Sequence, residues 1–219
     1  MPRALFEKTG NAVYISHLDL MRVFQRAFKR AGLPLTHTQG FSPRPSVSIA
    51  LPMSVGVESR CELLDFDLDG ELISNEEIMA RLNNVLIEGV RVLSVYDGND
   101  RIRDIALLDC SVFLEYDNGI SDVGKEELHK LFSQSSVIVE KRGKNGITQQ
   151  DIVPLIRELQ IVTVDANTLR LDARICCQNP ALNPMQLTAA IERYLPELKP
   201  DFARFCRNEI FRIDESIFR

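Results

Sequence analysis

The chain has 219 residues, 45% of them hydrophobic and 26% charged, with a formal net charge of −5. That supplies apolar material for one large domain or two small ones, and the negative balance argues against a surface coated in nucleic acid. No cationic N-terminal segment leads into an apolar run and nowhere do eighteen apolar residues follow one another, so neither a signal peptide nor a membrane span is expected, and the expected location is cytoplasmic.

In chain order, residues 3–8 read as a strand, Gly10 and Asn11 as a turn, and Ser16 as the N-cap of a helix. Asp19, three residues on, complements the free N–H groups and the positive end of the helix dipole. The helix is expected to run to Ala31 and stop at Gly32, with Pro34 beyond. Leu20, Val23, Phe24, Ala27 and Ala31 share its apolar face, while Arg22, Arg26, Lys29 and Arg30 fall on another. Residues 35–38 and 47–51 read as strand segments on either side of the loop Gln39-Gly40-Phe41-Ser42-Pro43-Arg44-Pro45. A strand over 58–68, a helix over 75–86 and a strand over 90–95 complete the order β-α-β-β-α-β, the ferredoxin-like unit of an antiparallel sheet with two helices on one face.

The second half repeats the pattern: a strand over 110–116, a helix over 125–132, strands over 137–141 and 169–176, a helix over 184–195 and a strand over 203–213. An extra segment at 148–159 is expected to be a short helix interrupted at Pro154. The acidic, turn-rich stretch 97–104 marks a boundary. The fold class expected is therefore α+β, two tandem ferredoxin-like (βαββαβ) units with antiparallel sheets, as an N-terminal domain over 1–98 and a C-terminal domain over 106–219.

Charge is distributed unevenly. Residues 1–60 carry +5 and residues 61–110 carry −8, an asymmetry that steers a polyanion to one side. The Arg22, Arg26, Lys29 and Arg30 stripe is spaced to cross a phosphate backbone, or to serve as the solvated face of an amphipathic helix. In the adjoining loop Phe41 offers a stacking face, Arg44 a planar guanidinium, and Pro43 and Pro45 stiffen the backbone. His17, in the first turn of the helix, has an imidazole whose pKa near neutrality suits a general base, or a packing role at the helix start. A second basic cluster, Lys141-Arg142-Gly143-Lys144, sits in a polar loop. Asp65, Asp67, Asp69 and Glu71 alternate along a strand, more as a soluble sheet face than as a metal site. The five cysteines carry no CxxC spacing, which argues against a zinc ribbon or disulfide framework, and no triplet can hold an iron–sulfur cluster. Phosphate-loop, GxSxG and HExxH motifs are absent.

The run Tyr14-Ile15-Ser16-His17-Leu18-Asp19-Leu20-Met21-Arg22, then Arg26-Ala27, Arg30-Ala31-Gly32-Leu33-Pro34, the loop from Gln39 to Pro45, Ala50-Leu51-Pro52 and Val55-Gly56-Val57-Glu58 resembles the signature of the radical-SAM-linked family. The later half matches more loosely, through Asp151-Ile152 and Asn183-Pro184. Members of that family are typically encoded beside, or fused to, a radical SAM protein with a cobalamin-binding-type domain, and the family is a domain of unknown function. The resemblance thus implies a partner, and no established active site.

These readings converge on a non-catalytic accessory that binds RNA, with tRNA or rRNA as the class, and presents it to a separately encoded radical SAM enzyme. The RNA-binding residues expected are His17, Arg22, Arg26, Arg30, Gln39, Phe41, Arg44, Lys141, Arg142 and Lys144, with no metal and no cofactor of its own. Two alternatives stand beside it: a metal-independent endoribonuclease with His17 as base and Arg22 or Arg44 stabilising the phosphate transition state, and a pure protein-interaction module.

Overall fold

A computed structural model describes residues 1–39, 41–70, 73–143 and 146–219. It divides into two compact units, Met1–Ile102 together with Arg219, and Arg103–Phe218. Gly40, Glu71 and Lys144, singled out from the sequence, lie outside the described residues.

In the first unit, β1 (Pro2–Lys8) leads through a 3-10 turn over Gly10–Tyr14 into α1 (His17–Arg30). The short β2 (Val47–Ile49), then β3 (Val57–Phe66), α2 (Asn75–Asn83) and β4 (Val90–Asp97) follow. The strands are hydrogen-bonded in the order β4-β1-β3, with β2 on β3, and every pair is antiparallel. This is the ferredoxin-like order expected. Alternation sends Ala4 and Phe6 of β1 and Leu64 and Phe66 of β3 to the helical side, where they pack with Phe24, Ala27 and Phe28 of α1 and with Ile78 and Leu82 of α2. Phe6 meets Phe24 edge to face at 4.7 Å and Phe28 tilts against Phe66 at 4.9 Å. Burying each of these rings stabilises the unit by roughly 1.5–3 kcal/mol.

On the other face of the same sheet Arg3 is 3% exposed and forks onto Asp65, at 2.6 and 3.0 Å, while also donating to the Asp100 carbonyl at 3.1 Å. Burial opposes its charge, but the Asp65 hydrogen bond and field outweigh that cost and raise its pKa. Asp67 accepts from the Thr36 hydroxyl at 3.0 Å. Two members of the acidic set are thus engaged within the fold, and no group of potential metal ligands occurs among the described residues.

In the second unit, β5 (Leu107–Glu115) and α3 (Asp122–Phe132) are followed by a hairpin of β6 (Ile138–Gly143) and β7 (Gly146–Asp151), then β8 (Ile156–Thr163), β9 (Thr168–Cys176), α4 (Met185–Tyr194) and β10 (Phe202–Phe211). The sheet order β10-β5-β9-β8 repeats that of the first unit, with β8 in the place of β2. Here the structure corrects the sequence reading. The segment 148–159 is no helix: it comprises β7, a 3-10 turn over Val153–Leu155 with Pro154 in its first turn, and the start of β8. The second strand of this unit is β8; residues 137–141 contribute to a separate two-stranded insertion. Asp151 explains the turn, since its carboxylate accepts from the backbone N–H of Val137 at 3.0 Å and of Val153 at 3.1 Å and closes the hairpin locally. Those contacts, the Val137 bond foremost, hold the Asp151 carboxyl below the usual carboxylate range.

Candidate nucleic-acid interface

The start of α1 is built as its sequence prescribes. Ser16 caps it by accepting from the Asp19 N–H at 3.2 Å, and its hydroxyl donates to the Asp19 carboxylate at 2.8 Å. Asp19 also receives Arg22 at 2.7 Å, and the Ser16 bond followed by that of Arg22 lowers its pKa. Lys8, 2% exposed, donates its ammonium to the Ile15 carbonyl at 3.2 Å and pins the entry to the helix. Gly89 approaches this entry closely: at φ +81° a Cβ there would stand 2.4 Å from the Thr9 carbonyl oxygen.

The far end of α1 closes with a Schellman arrangement, Leu33 N–H to Phe28 C=O at 3.0 Å and Gly32 N–H to Lys29 C=O at 3.3 Å, with Gly32 at φ +66°. That turn delivers the chain into a narrow hairpin. Ser46 N–H bonds the Thr36 carbonyl at 2.8 Å, His37 bridges Pro45, and Thr38 N–H bonds the Arg44 carbonyl at 2.8 Å. Arg44 N–H returns a bond to the Thr38 hydroxyl at 3.1 Å. The base is anchored beyond β3 by Asp69 N–H to Pro34 C=O at 2.8 Å and by the Leu35–Leu68 bridge. Gln39, Ser42, Pro43 and Arg44 are exposed at its tip, and the Phe41 side chain is fully exposed.

Topology then sorts the residues proposed from sequence. Arg22, Arg26, Lys29 and Arg30 all project from the exposed side of α1, opposite Leu20, Phe24, Ala27 and Phe28. The hairpin lies at the end of the sheet where α1 finishes, and it feeds β2, whose Val47 pairs with Phe66. His17, half-buried, lies at the other end of α1, about 20 Å away along the helix axis, and about 140° around it from Arg22. The hairpin thus departs from the end of α1 that carries Lys29 and Arg30, and His17 stands at the other end of the helix. Arg26, Lys29 and the Arg44 guanidinium have no ion pair among the described residues, whereas Arg30 reaches the Val85 carbonyl.

Lys141 belongs to the second unit, where its ammonium donates to the Ala181 carbonyl at 3.0 Å. Gly143 ends β6, and of the Arg142 backbone the structure shows only that it pairs with Ile147. Cys110 and Cys177 are buried thiols, pushed up by that burial to about 12 and about 11, and all five cysteines are free.

Two surfaces escaped the sequence reading. At the His17 end of α1, Tyr14 and Leu18 are each 68% exposed and Val55 is 50% exposed; Gly56 N–H bonds Val13 C=O at 2.9 Å and ties the Val55 turn to the helix entry. Leu18 stands off the apolar stripe of α1, which is the signal that marks it. The second surface is the helix-free face of the second sheet, where Asp109, Ser111, Phe113 and Glu115 of β5 share a side with Arg170, Asp172 and Arg174 of β9. Arg174 forks onto Asp109 at 2.8 and 3.1 Å, binds Glu215 at 2.9 Å and covers the Phe211 ring at 4.3 Å. Arg170 binds Asp172 at 2.8 Å, and Arg204 binds Glu115 at 2.7 Å over the ring of Phe113.

The arrangement defines a class of protein: an α+β chain of two ferredoxin-like units whose first carries an exposed cationic helix and an aromatic-tipped hairpin. The sequence matches over residues 2–184 a family described as an uncharacterized protein conserved in bacteria (DUF2344), and the chain belongs to that family. No curated protein matches the sequence. Among solved structures it is similar to a chain of a Cbf5-Nop10-Gar1 complex, with 7% identity and a TM-score of 0.51 over 98% of this chain and 50% of that one. It is also similar to a chain of an H/ACA RNP bound to a substrate RNA containing 2'-deoxyuridine, with 4% identity and a TM-score of 0.47 over 96% and 47%. The chain spans about half the length of these solved chains, and at such identities the likeness concerns the fold alone. Among the described residues, no helix is long and apolar enough to cross a membrane.

Proposed function

We propose that this protein is a non-catalytic adaptor that binds RNA, of the tRNA or rRNA class, through its first unit and presents it to a radical SAM enzyme. The observation that carries the RNA half is the set of exposed cations that form no ion pair among the described residues, Arg26 and Lys29 on α1 and Arg44 in the hairpin that exposes Phe41. Cations left unpaired by their own fold can release phosphate counterions on binding, which cations already paired do only at the cost of breaking an ion pair. The partner half rests on the resemblance of residues 14–58 to the radical-SAM-linked signature. An adaptor needs two surfaces, and the apolar trio Tyr14, Leu18 and Val55 at the opposite end of α1 is the natural seat for the enzyme.

The endoribonuclease alternative needs His17 and an arginine on one phosphate, and the helix geometry that parts His17 from Arg22, together with the distance to the hairpin, weighs against it. The test is affinity capture of the tagged chain from a bacterial cytoplasm, with RNA sequenced and proteins identified by mass spectrometry. The account expects a radical SAM protein and a defined RNA together. Arg26→Ala/Lys29→Ala/Arg44→Ala should lose the RNA and keep the enzyme, and Tyr14→Ala/Leu18→Ala should do the reverse. Recovery of neither ligand by the wild type, or equal recovery by both variants, contradicts it.

A further inference from the structure

We infer that the ligand of the hairpin is an unpaired nucleotide, whose base stacks on Phe41 while Arg44 and the α1 cations hold the flanking phosphates; this rests on the RNA reading above and narrows it from RNA to single-stranded or looped RNA. Three observations carry it. The Phe41 ring is fully exposed, so both of its faces are open, and the stem that carries it is closed by the Thr38–Arg44 and Thr36–Ser46 bonds. A closed stem leaves few loop residues to order when a base settles on the ring. The described side chains beside it at the tip are Gln39, Ser42, Pro43 and Arg44, all exposed, so Phe41 is a lone aromatic among polar and cationic neighbours. That composition suits stacking of a planar base with a phosphate on each side. A protein-docking surface would instead present several apolar side chains, as the exposed Tyr14, Leu18 and Val55 do at the other end of α1. Finally, a duplex keeps its bases stacked on one another, so only an unpaired or extruded base can meet a projecting ring.

The chain contains no tryptophan, so Phe41→Trp places a single indole reporter at the hairpin tip. The experiment titrates the full chain and this variant with a 20-nucleotide uridine-rich single strand and with the same strand annealed to its complement. Anisotropy reports binding, and indole emission reports stacking. The single strand is expected to bind at least about tenfold more tightly than the duplex and to quench the indole. Phe41→Ala should weaken single-strand binding by roughly 5- to 100-fold, with duplex affinity and salt dependence unchanged. Because Phe41 is exposed, its melting temperature should match the wild type. Equal binding of single strand and duplex, an unquenched indole, or wild-type affinity of Phe41→Ala overturns the stacking role while leaving RNA binding intact. Absence of binding by the wild type to either RNA overturns both readings, and loss of a captured protein rather than of RNA in Phe41→Ala reassigns the ring to a protein contact.

Discussion

The arginines of α1 and those of the strands are chemically identical and physically opposite. Arg3, Arg170, Arg174 and Arg204 each sit opposite a carboxylate on a neighbouring strand or beside one on their own, and their positive charge is spent inside the fold. On the second sheet's helix-free face three arginines meet four carboxylates, Asp109, Asp172, Glu115 and Glu215, so the surface is acidic in sum despite its guanidinium groups. Among the described residues, Arg22 alone of the α1 cations forms an ion pair, with Asp19, and that pair is exposed and weak. A count of basic residues therefore says little about affinity for a polyanion; what counts is how many lack an internal partner. This matters because RNA-binding modules of related topology read bases on the helix-free sheet face, whereas the RNA contact proposed for this protein lies on the helix and hairpin.

The largest effect should come from Arg3→Ala, which strands Asp65 in a site only partly open to water. The expected loss is about 3–5 kcal/mol in urea unfolding, and a loss below about 1 kcal/mol would show that buried and exposed arginines are less different than argued. Gly89→Ala should cost about 1–3 kcal/mol, because the new methyl meets the Thr9 carbonyl oxygen and the backbone is left-handed there. Arg204→Ala removes a half-exposed pair and should cost no more than about 1 kcal/mol, and Arg170→Ala/Arg204→Ala should change RNA affinity less than about threefold. The smallest effect concerns acid. Asp151 has a folded pKa below its unfolded value, so the stability it adds is present above about pH 4 and is lost as pH falls through the lowered folded pKa. Asp151→Asn should therefore be less stable than the wild type at pH 7, by a gap that narrows as pH falls below about 4; a gap that stays constant through the acid range would contradict the linkage.

Much of this molecule was legible in its sequence, and the failures have physical causes. Ser16, Asp19 and Gly32 marked the ends of α1 because capping is local chemistry, decided within four residues. The ferredoxin order of the first half followed from alternating strands and amphipathic helices. In the second half, Pro154 drew the reading toward a broken helix, whereas it lies in a 3-10 turn, and the second strand, β8, is a hairpin partner of β9 across the short turn at 164–167, a pairing hidden because its first residues were assigned to that helix. The candidate site could be written from the sequence as a list of residue types but not as a geometry. Helical periodicity placed Arg22, Arg26 and Lys29 together, but nothing local showed that Lys141 is held by Ala181 or that His17 stands at the opposite end from Phe41.

The central claim is that the cations of α1 and the hairpin contact RNA phosphates, and its most direct test is the salt dependence of RNA affinity. A plot of log affinity against log salt for a single-stranded RNA should have a slope of roughly −3, as about four phosphate contacts require, and Arg26→Ala/Lys29→Ala/Arg44→Ala should reduce it by about 2 while weakening binding by roughly 30- to 100-fold. A slope near zero in the wild type, or the same slope and affinity in the variant, would contradict the account.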